Sequence, residues 1–131
     1  MAYLNTAINN SATVVDKAGS VLANASMLAI KYAADGTLAL ASTKGEPALG
    51  IAIAETNPVV EAGQDVSVVV KDITMWYAGA AIAKGDELTT DATGKAVPAD
   101  EGEFILGIAL TASTGTGDLV QVQIVKAGYK A

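Results

Sequence analysis

Residues that could carry out chemistry are scarce in this sequence. Histidine and cysteine are both absent, which removes the commonest general base, the usual zinc ligands and the sulfur nucleophile. Serines are present, but none lies in a Gly-x-Ser-x-Gly elbow of the kind that exposes a catalytic hydroxyl. We therefore predict no catalytic residue, no metal ligand and no cofactor-binding residue, and we expect a protein that is not an enzyme.

Two segments could still bind ions. The densest acidic cluster is Asp100-Glu101-Gly102-Glu103. Its spacing does not match the alternating oxygen ligands of an EF-hand loop, so we predict a solvated turn, with a weak calcium contact as the alternative. The glycine-rich stretch Thr114–Asp118 leads into a strand, whereas a phosphate-binding loop leads into a helix.

The composition fits one folded domain. With 131 residues, 51% of them apolar, the chain can bury a core without disulfides. All 8 basic residues are lysine and the net charge is -6, which disfavours nucleic-acid binding. No window approaches the ~20 apolar residues of a membrane span, and the N-terminal residues lack the features of a signal peptide. We expect synthesis in the cytoplasm and no nucleic-acid or membrane partner.

The elements that organise this chain are repeated within it. Leu49–Ala54 is matched by Leu106–Thr111, and each segment is followed, after a loop, by a stretch in which apolar residues alternate. These stretches are Val66–Lys71 and Val120–Lys126, and their period of two predicts strands. A glycine in the middle of a strand is unfavourable, so Gly50 and Gly107 indicate a bulge or a close backbone approach.

A turn precedes each of the Leu-Gly-Ile-Ala segments. Asp35-Gly36 and Thr93-Gly94 are both typical of tight hairpins, because glycine tolerates the positive φ that these turns need. We therefore predict a mainly β protein: a small single-domain β-barrel or sandwich spanning 21–131 and built from two similar half-modules, 28–71 and 88–126.

Residues 1–20 stand apart from the repeat. Leu4, Ala7 and Ile8 could line one side of a helical turn, and the segment would then be an N-terminal arm. Alternatively, Ala12, Val14 and Val15 could belong to an extra strand of the same sheet.

Trp76 and Tyr77 are adjacent aromatic residues in the strand-like stretch Ile73–Tyr77. Consecutive residues of a strand point to opposite faces. One of the two can therefore lie in the core, and the other would be exposed or at an interface.

The segment Ile82–Val97, followed by Leu106–Leu110 and a final alternating strand, resembles the capsid decoration (cement) and head-fibre proteins of tailed bacteriophages. The resemblance covers residues 28–126 and includes the earlier half-copy. It implies a non-enzymatic protein that binds the outer surface of an assembled capsid, has the major capsid protein as partner, forms a homotrimer and resides in the virion. Given that role, we predict a capsid or intersubunit interface formed by Tyr3, Leu4, Ile8, Trp76 and Tyr77.

Two other functions remain open from the sequence. A carbohydrate- or cell-surface-binding β-domain of a viral fibre would need several aromatic residues on one face, and the six aromatic residues are scattered along the chain. A small enzyme or enzyme-associated domain of the β-clip type is suggested only by a faint similarity at Lys84–Thr89.

Overall fold

The computed structural model describes residues 11–53 and 59–131, and this part of the chain is built from β-strands and loops. It contains no helix that is long and apolar enough to cross a membrane. The strands are β1 Thr13–Lys17, β2 Leu22–Ala23, β3 Ala29–Tyr32, β4 Leu38–Leu40, β5 Gly50–Ala52, β6 Val59–Val60, β7 Asp65–Val69, β8 Asp72–Tyr77, β9 Glu87–Thr90, β10 Ala96–Pro98, β11 Phe104–Ala109 and β12 Leu119–Tyr129.

The two main sheets have the same internal order. The first sheet runs β1-β7-β5-β3-β4, and the second, from its β8 edge, runs β8-β12-β11-β9-β10. In the first sheet the edge strand β1 lies beside β7, and in the second the edge strand β8 lies beside β12. Neighbouring strands in both sheets are antiparallel. A small third sheet pairs β2 with β6. The prediction of two similar half-modules is confirmed, but each half begins before the predicted bounds of 28–71 and 88–126, because β1 and β8 form sheet edges. We call β1–β7 the first half and β8–β12 the second half.

The predicted hairpin turns are present in both halves. In the first, Asp35 Oδ1 accepts bonds from the amide and hydroxyl of Thr37, and Gly36 has a φ of 84°. In the second, Asp91 accepts the same pair of bonds from Thr93, and Gly94 has a φ of 86°. In each turn an aspartate carboxylate accepts a hydrogen bond from the amide two residues later, and a nearby glycine has a positive φ. These two features stabilise the turns.

Side chains on the two faces of the first sheet belong to two different hydrophobic clusters. Ala29 and Ile51 belong to a shared cluster that contains Trp76, Val120 and other residues of the second half. On the opposite face, Ile30, Ala52 and Val68 belong to a second cluster that contains residues of the first half alone. Leu22 and Ala25, from the segment before β3, are also part of this second cluster. Both faces of the first sheet are therefore covered.

In the second sheet, β12 is covered on one face and open on the other. Along β12, Val120, Val122 and Ile124 are buried, whereas Gln121 and Gln123 are exposed. The two sheets with their shared cluster form a sandwich-like fold, and they do not close into a barrel. Of the two architectures that the sequence allowed, the sandwich is the one observed.

Gly50 and Gly107 lie at close backbone approaches, as predicted. A methyl group at Gly50 would overlap the carbonyl oxygen of Val69, and one at Gly107 would lie 2.8 Å from the carbonyl oxygen of Gln123. The register of β11 against β12 also shifts between Ile105 and Gly107. Glycine is therefore required at both positions by the neighbouring strand.

The end of the 1–20 segment is a strand. Thr13–Lys17 forms β1 and pairs with β7 at the edge of the first sheet. For these residues the extra-strand alternative describes the structure. Residues 1–10, which include Tyr3, Leu4 and Ile8, lie outside the described part of the chain, and their assignment to an interface stays a prediction.

Candidate interaction surface

The acidic cluster joins the two halves. Lys44, in the loop between β4 and β5, donates to Asp100 Oδ2 at 2.9 Å and to Glu103 Oε1 at 2.6 Å. Hydrogen bonds to Glu103 and then to Asp100 raise the pKa of Lys44 above its ordinary value. Asp100 and Glu101 are exposed, as a solvated turn requires, but Glu103 is largely shielded. We call the ion pairs of Lys44 with Asp100 and Glu103 the Lys44 latch. The sequence alone could not predict it, because Lys44 is more than fifty residues from both carboxylates.

A second carboxylate shapes the loop that carries Lys44. Glu46 Oε2 accepts the Ser42 and Thr43 amides at 2.7 Å each, and Lys31 Nζ donates to Oε1 at 3.0 Å. Burial alone raises the pKa of Glu46, but these bonds outweigh it and hold the pKa below its ordinary value of 4.5. The loop then places Gly45 so that its amide donates to Thr90 O and its carbonyl accepts the Phe104 amide.

Replacing Glu46 by glutamine is expected to lower the free energy of unfolding at pH 7 by about 1–2 kcal/mol, because two charge-assisted bonds to amides are weakened. Since the folded protein lowers this pKa, the contribution is present above the ordinary value of 4.5 and is lost as pH falls through the folded pKa. Urea unfolding of both proteins at pH 7 and pH 3 measures this. The difference should shrink in acid. Glu101→Gln, at an exposed turn position, is the control, and an equal loss in that variant would contradict the assignment.

No group of three or more acidic side chains is placed to hold a metal ion within 11–53 and 59–131. Asp118, in the glycine-rich loop, is engaged by the Thr114 amide and hydroxyl and by the Ser113 hydroxyl, which lower its pKa. That carboxylate organises its own loop.

Trp76 and Tyr77 point to opposite sides of β8. The Trp76 ring is fully buried in the shared cluster, and its Nε1 donates to the Gly94 carbonyl at 2.8 Å. A side chain with no exposed surface makes no contact with a partner, so Trp76 is a core residue and not part of an exposed surface. Tyr77 lies on the other face and is half-buried. The sequence required this separation and left open which ring was inside.

β8 and β12 together present an exposed face that carries apolar residues. Its cross-strand pairs from β8 and β12 are Ile73 with Gln123, Met75 with Gln121, and Tyr77 with Leu119. Ile73 is 56% exposed and Leu119 is 40% exposed. None of these six side chains is charged. We call this set, with Val125 at its end, the outer face.

Exposed aromatic rings do not form a platform in the described residues. Tyr32 belongs to the first sheet and donates to Asp16 at 3.0 Å. Tyr129 belongs to the last strand and packs edge-on against Phe104 with ring centroids 5.6 Å apart. A carbohydrate site built from several aromatic residues on one face is not supported by this placement.

Comparison with known proteins identifies the family. The family model described as phage cement protein matches residues 4–124. The chain belongs to the phage cement protein family. Among curated proteins, none matches it significantly. Among solved structures, the head fiber gp8.5 N base of bacteriophage phi29 is similar, with 24% sequence identity and a TM-score of 0.64. The similarity covers 91% of this chain and 98% of that chain, and it shows a shared fold.

The resemblance that rests on Ile82–Val97 and the repeated Leu-Gly-Ile-Ala segments is thereby confirmed. This cement protein is a structural protein of a bacteriophage. The family match supports a capsid decoration role.

Proposed function

We propose that this cement protein binds the outer surface of the assembled capsid, contacts the major capsid protein as a homotrimer, and stabilises the shell. The observation that carries the proposal is the family match over residues 4–124. The match spans nearly the whole chain, including both halves, and it supports a capsid decoration role. Synthesis in the host cytoplasm and addition to the finished shell complete the proposal.

Stabilisation follows from mass action. A ligand that binds the assembled shell but not free capsid subunits shifts the equilibrium towards the shell. A rigid framework suits that task, because it loses little conformational entropy on attachment. Here the shared cluster and the Lys44 latch fix the two halves to each other.

The N-terminal residues are the proposed capsid-facing segment. Tyr3, Leu4 and Ile8 are apolar or amphipathic residues that precede the edge strand β1, and Tyr77 contributes from the outer face. Trp76, which is buried in the shared cluster, is not part of the proposed surface. Apolar side chains of this segment would bury surface at the junction between neighbouring capsid subunits.

Co-sedimentation with capsids that lack the protein tests the proposal. We expect saturable binding and a higher temperature of shell disruption in its presence. The double variant Leu4→Ser, Ile8→Ser should bind at least ~10-fold more weakly, since each substitution removes about 1 kcal/mol or more of apolar burial. A variant that leaves the N-terminus intact, Val21→Ser, is the control.

Two results would contradict parts of this proposal. If the wild-type protein fails to pellet with capsids at saturating concentration, capsid decoration is wrong. If the double variant binds as tightly as the Val21→Ser control, capsid decoration stands and the N-terminal assignment is wrong.

A further inference from the structure

One dipeptide of the first half has a covalent chemistry of its own. Asp35-Gly36 is the single Asp-Gly sequence of the chain, and the chain has no Asn-Gly sequence. In such a pair the glycine amide nitrogen can attack the carboxyl carbon of the aspartate side chain, because glycine has no side chain that hinders the approach. The new C–N bond closes a succinimide ring, and the amide proton and the carboxyl OH leave together as water.

The ring then reacts with water. Addition of water at the side-chain carbonyl restores aspartate, whereas addition at the main-chain carbonyl leaves the chain connected through the side chain, as isoaspartate. The net change is an isomerisation without a change of mass, and it needs no oxidant, reductant or other reactant. Isoaspartate adds one carbon atom to the main chain, so it changes the length of the segment in which it forms.

The pair lies in a place where this change would matter. Asp35 and Gly36 are exposed in the turn between β3 and β4, so water reaches both residues. Leu38, the first residue of β4, has no exposed surface and belongs to the cluster made by the first half. A longer main chain at the turn would therefore shift a strand whose first side chain is in the core.

Both reacting groups are engaged in the folded turn. Asp35 Oδ1 accepts the Thr37 hydroxyl at 2.6 Å and the Thr37 amide at 3.0 Å. These bonds lower the pKa of Asp35 below its ordinary value of 3.8. The carboxyl group therefore stays ionised, and an ionised carboxylate resists attack by a nucleophile. The Gly36 amide, which is that nucleophile, donates to Ala33 O at 2.9 Å.

The Thr37 hydroxyl is confined by a second segment of the chain. Gly19 follows β1, and its amide donates to Leu38 O at 3.2 Å. A methyl group on Gly19 would overlap Thr37 Oγ1 and would lie 3.0 Å from Thr37 Cβ. The hydroxyl fits against Gly19 because that residue has no side chain, and its bond to Asp35 thus depends on tertiary packing as well as on the turn.

We propose that Asp35-Gly36 is a site of spontaneous isomerisation and that Thr37, packed against Gly19, suppresses the reaction in the folded protein. Thr37 acts as a positioning residue: it holds the carboxylate away from the Gly36 amide and keeps it ionised. The turn of the second half has Thr93-Gly94 at the same place and therefore has no carboxylate that could react. The proposal concerns the covalent integrity of the chain and does not depend on capsid binding.

Peptide mapping by mass spectrometry, with chromatographic separation of the two isomers, measures isoaspartate at position 35. The full chain is incubated at pH 7, once folded and once unfolded in guanidinium chloride. We expect isoaspartate to accumulate at least ~10-fold more slowly in the folded protein, because the hydrogen bonds to both reacting groups must break before the ring can close.

The role of Thr37 is tested with two substitutions at that position. Thr37→Val keeps the branched shape and the amide but removes the hydroxyl, and we expect isomerisation ~5-fold faster than in the folded wild type. Thr37→Ser retains the hydroxyl and should react at the wild-type rate. Gly19→Ala, which displaces the hydroxyl, should also accelerate the reaction. Gly115→Ala is its control, since nothing lies within 4 Å of the added methyl group. Circular dichroism verifies that each variant is folded.

Three results would overturn the inference. If the unfolded chain forms no isoaspartate at position 35, the dipeptide is not a reactive site. If the folded wild type reacts as fast as the unfolded chain, the fold does not suppress the reaction. If folded Thr37→Val reacts no faster than Thr37→Ser, the suppression does not come from the Thr37 hydroxyl. The Thr37 pair decides this point even if Gly19→Ala does not fold.

Discussion

Replacing Trp76 by alanine is expected to lower the free energy of unfolding by about 3–5 kcal/mol, the range for removal of a large buried aromatic side chain. Trp76 is the largest fully buried side chain in the described residues and lies in the cluster that both halves share. Its Nε1 donates to Gly94 O, the carbonyl that also accepts the Ala29 amide. The substitution therefore opens a cavity and also removes a bond at the junction between the halves.

Urea unfolding followed by far-ultraviolet circular dichroism measures this loss, because the variant no longer contains the single tryptophan of the chain. Trp76→Phe separates the two contributions. It keeps most of the ring and loses the Nε1 donor, so we expect a smaller loss of about 1–3 kcal/mol. Tyr77→Phe, one residue away on the half-buried outer face, is the control and should change stability by less than about 0.5 kcal/mol. Equal losses at positions 76 and 77 would contradict the core assignment.

The strands could be predicted because their signal is local. The alternation of Val120, Val122 and Ile124 with glutamine gives both the strand and the buried face of β12. The Asp35-Gly36 turn is likewise set by a carboxylate and a glycine within a few residues. Residues that are close in sequence determine both features, and both predictions are confirmed.

The faces of β8 could not be assigned in the same way. Trp76 and Tyr77 are both aromatic, and the polar residues of this strand, Asp72 and Thr74, lie on the same face as Trp76. The local alternation alone would therefore have marked the Trp76 face as the exposed one. The antiparallel pairing with β12 decides the matter: Trp76 pairs with Val120, whose side chain is buried, and Tyr77 pairs with exposed Leu119. The missing information was the register between two strands, which is a non-local property.

The unequal burial of the two sheets does leave a trace in composition. Equivalent cross-strand rows are Ala29, Ile51 and Val69 in the first sheet and Glu87, Ile108 and Gln123 in the second. Ala29 and Ile51 have no exposed surface, whereas Gln123 is exposed. The polar residues Glu87 and Gln123, at the positions of Ala29 and Val69, therefore indicate the more open of the two faces.

Replacing Gly50 by alanine is the second substitution with a large expected effect. A methyl group at this position would overlap the Val69 carbonyl oxygen, and it would lie 2.9 Å from the Val69 carbonyl carbon and 3.0 Å from Val68 Cγ1. The obstacle is mostly backbone of the adjacent strand, which cannot rotate away as a side chain can. We expect a loss of about 3 kcal/mol or more, at the upper end for overpacked sites, measured by urea unfolding.

The internal repeat supplies a graded comparison for that prediction. At Gly107 the nearest obstacle to a methyl group is a single backbone oxygen at 2.8 Å, and the next atom is at 3.6 Å. Gly107→Ala should therefore cost less than Gly50→Ala, about 1–2 kcal/mol. Gly115→Ala, where nothing lies within 4 Å, should stay within about 0.5 kcal/mol of wild type. The loss of stability should therefore decrease in the order Gly50, Gly107, Gly115, because β7 is closest to Gly50, β12 is next closest to Gly107, and nothing lies near Gly115. Helix or strand propensity alone would predict that alanine increases stability at all three positions. A stabilised Gly50→Ala variant would mean that the first sheet can separate β5 from β7 without loss, and the close pairing that buries Ile51 against the second half would then be wrong.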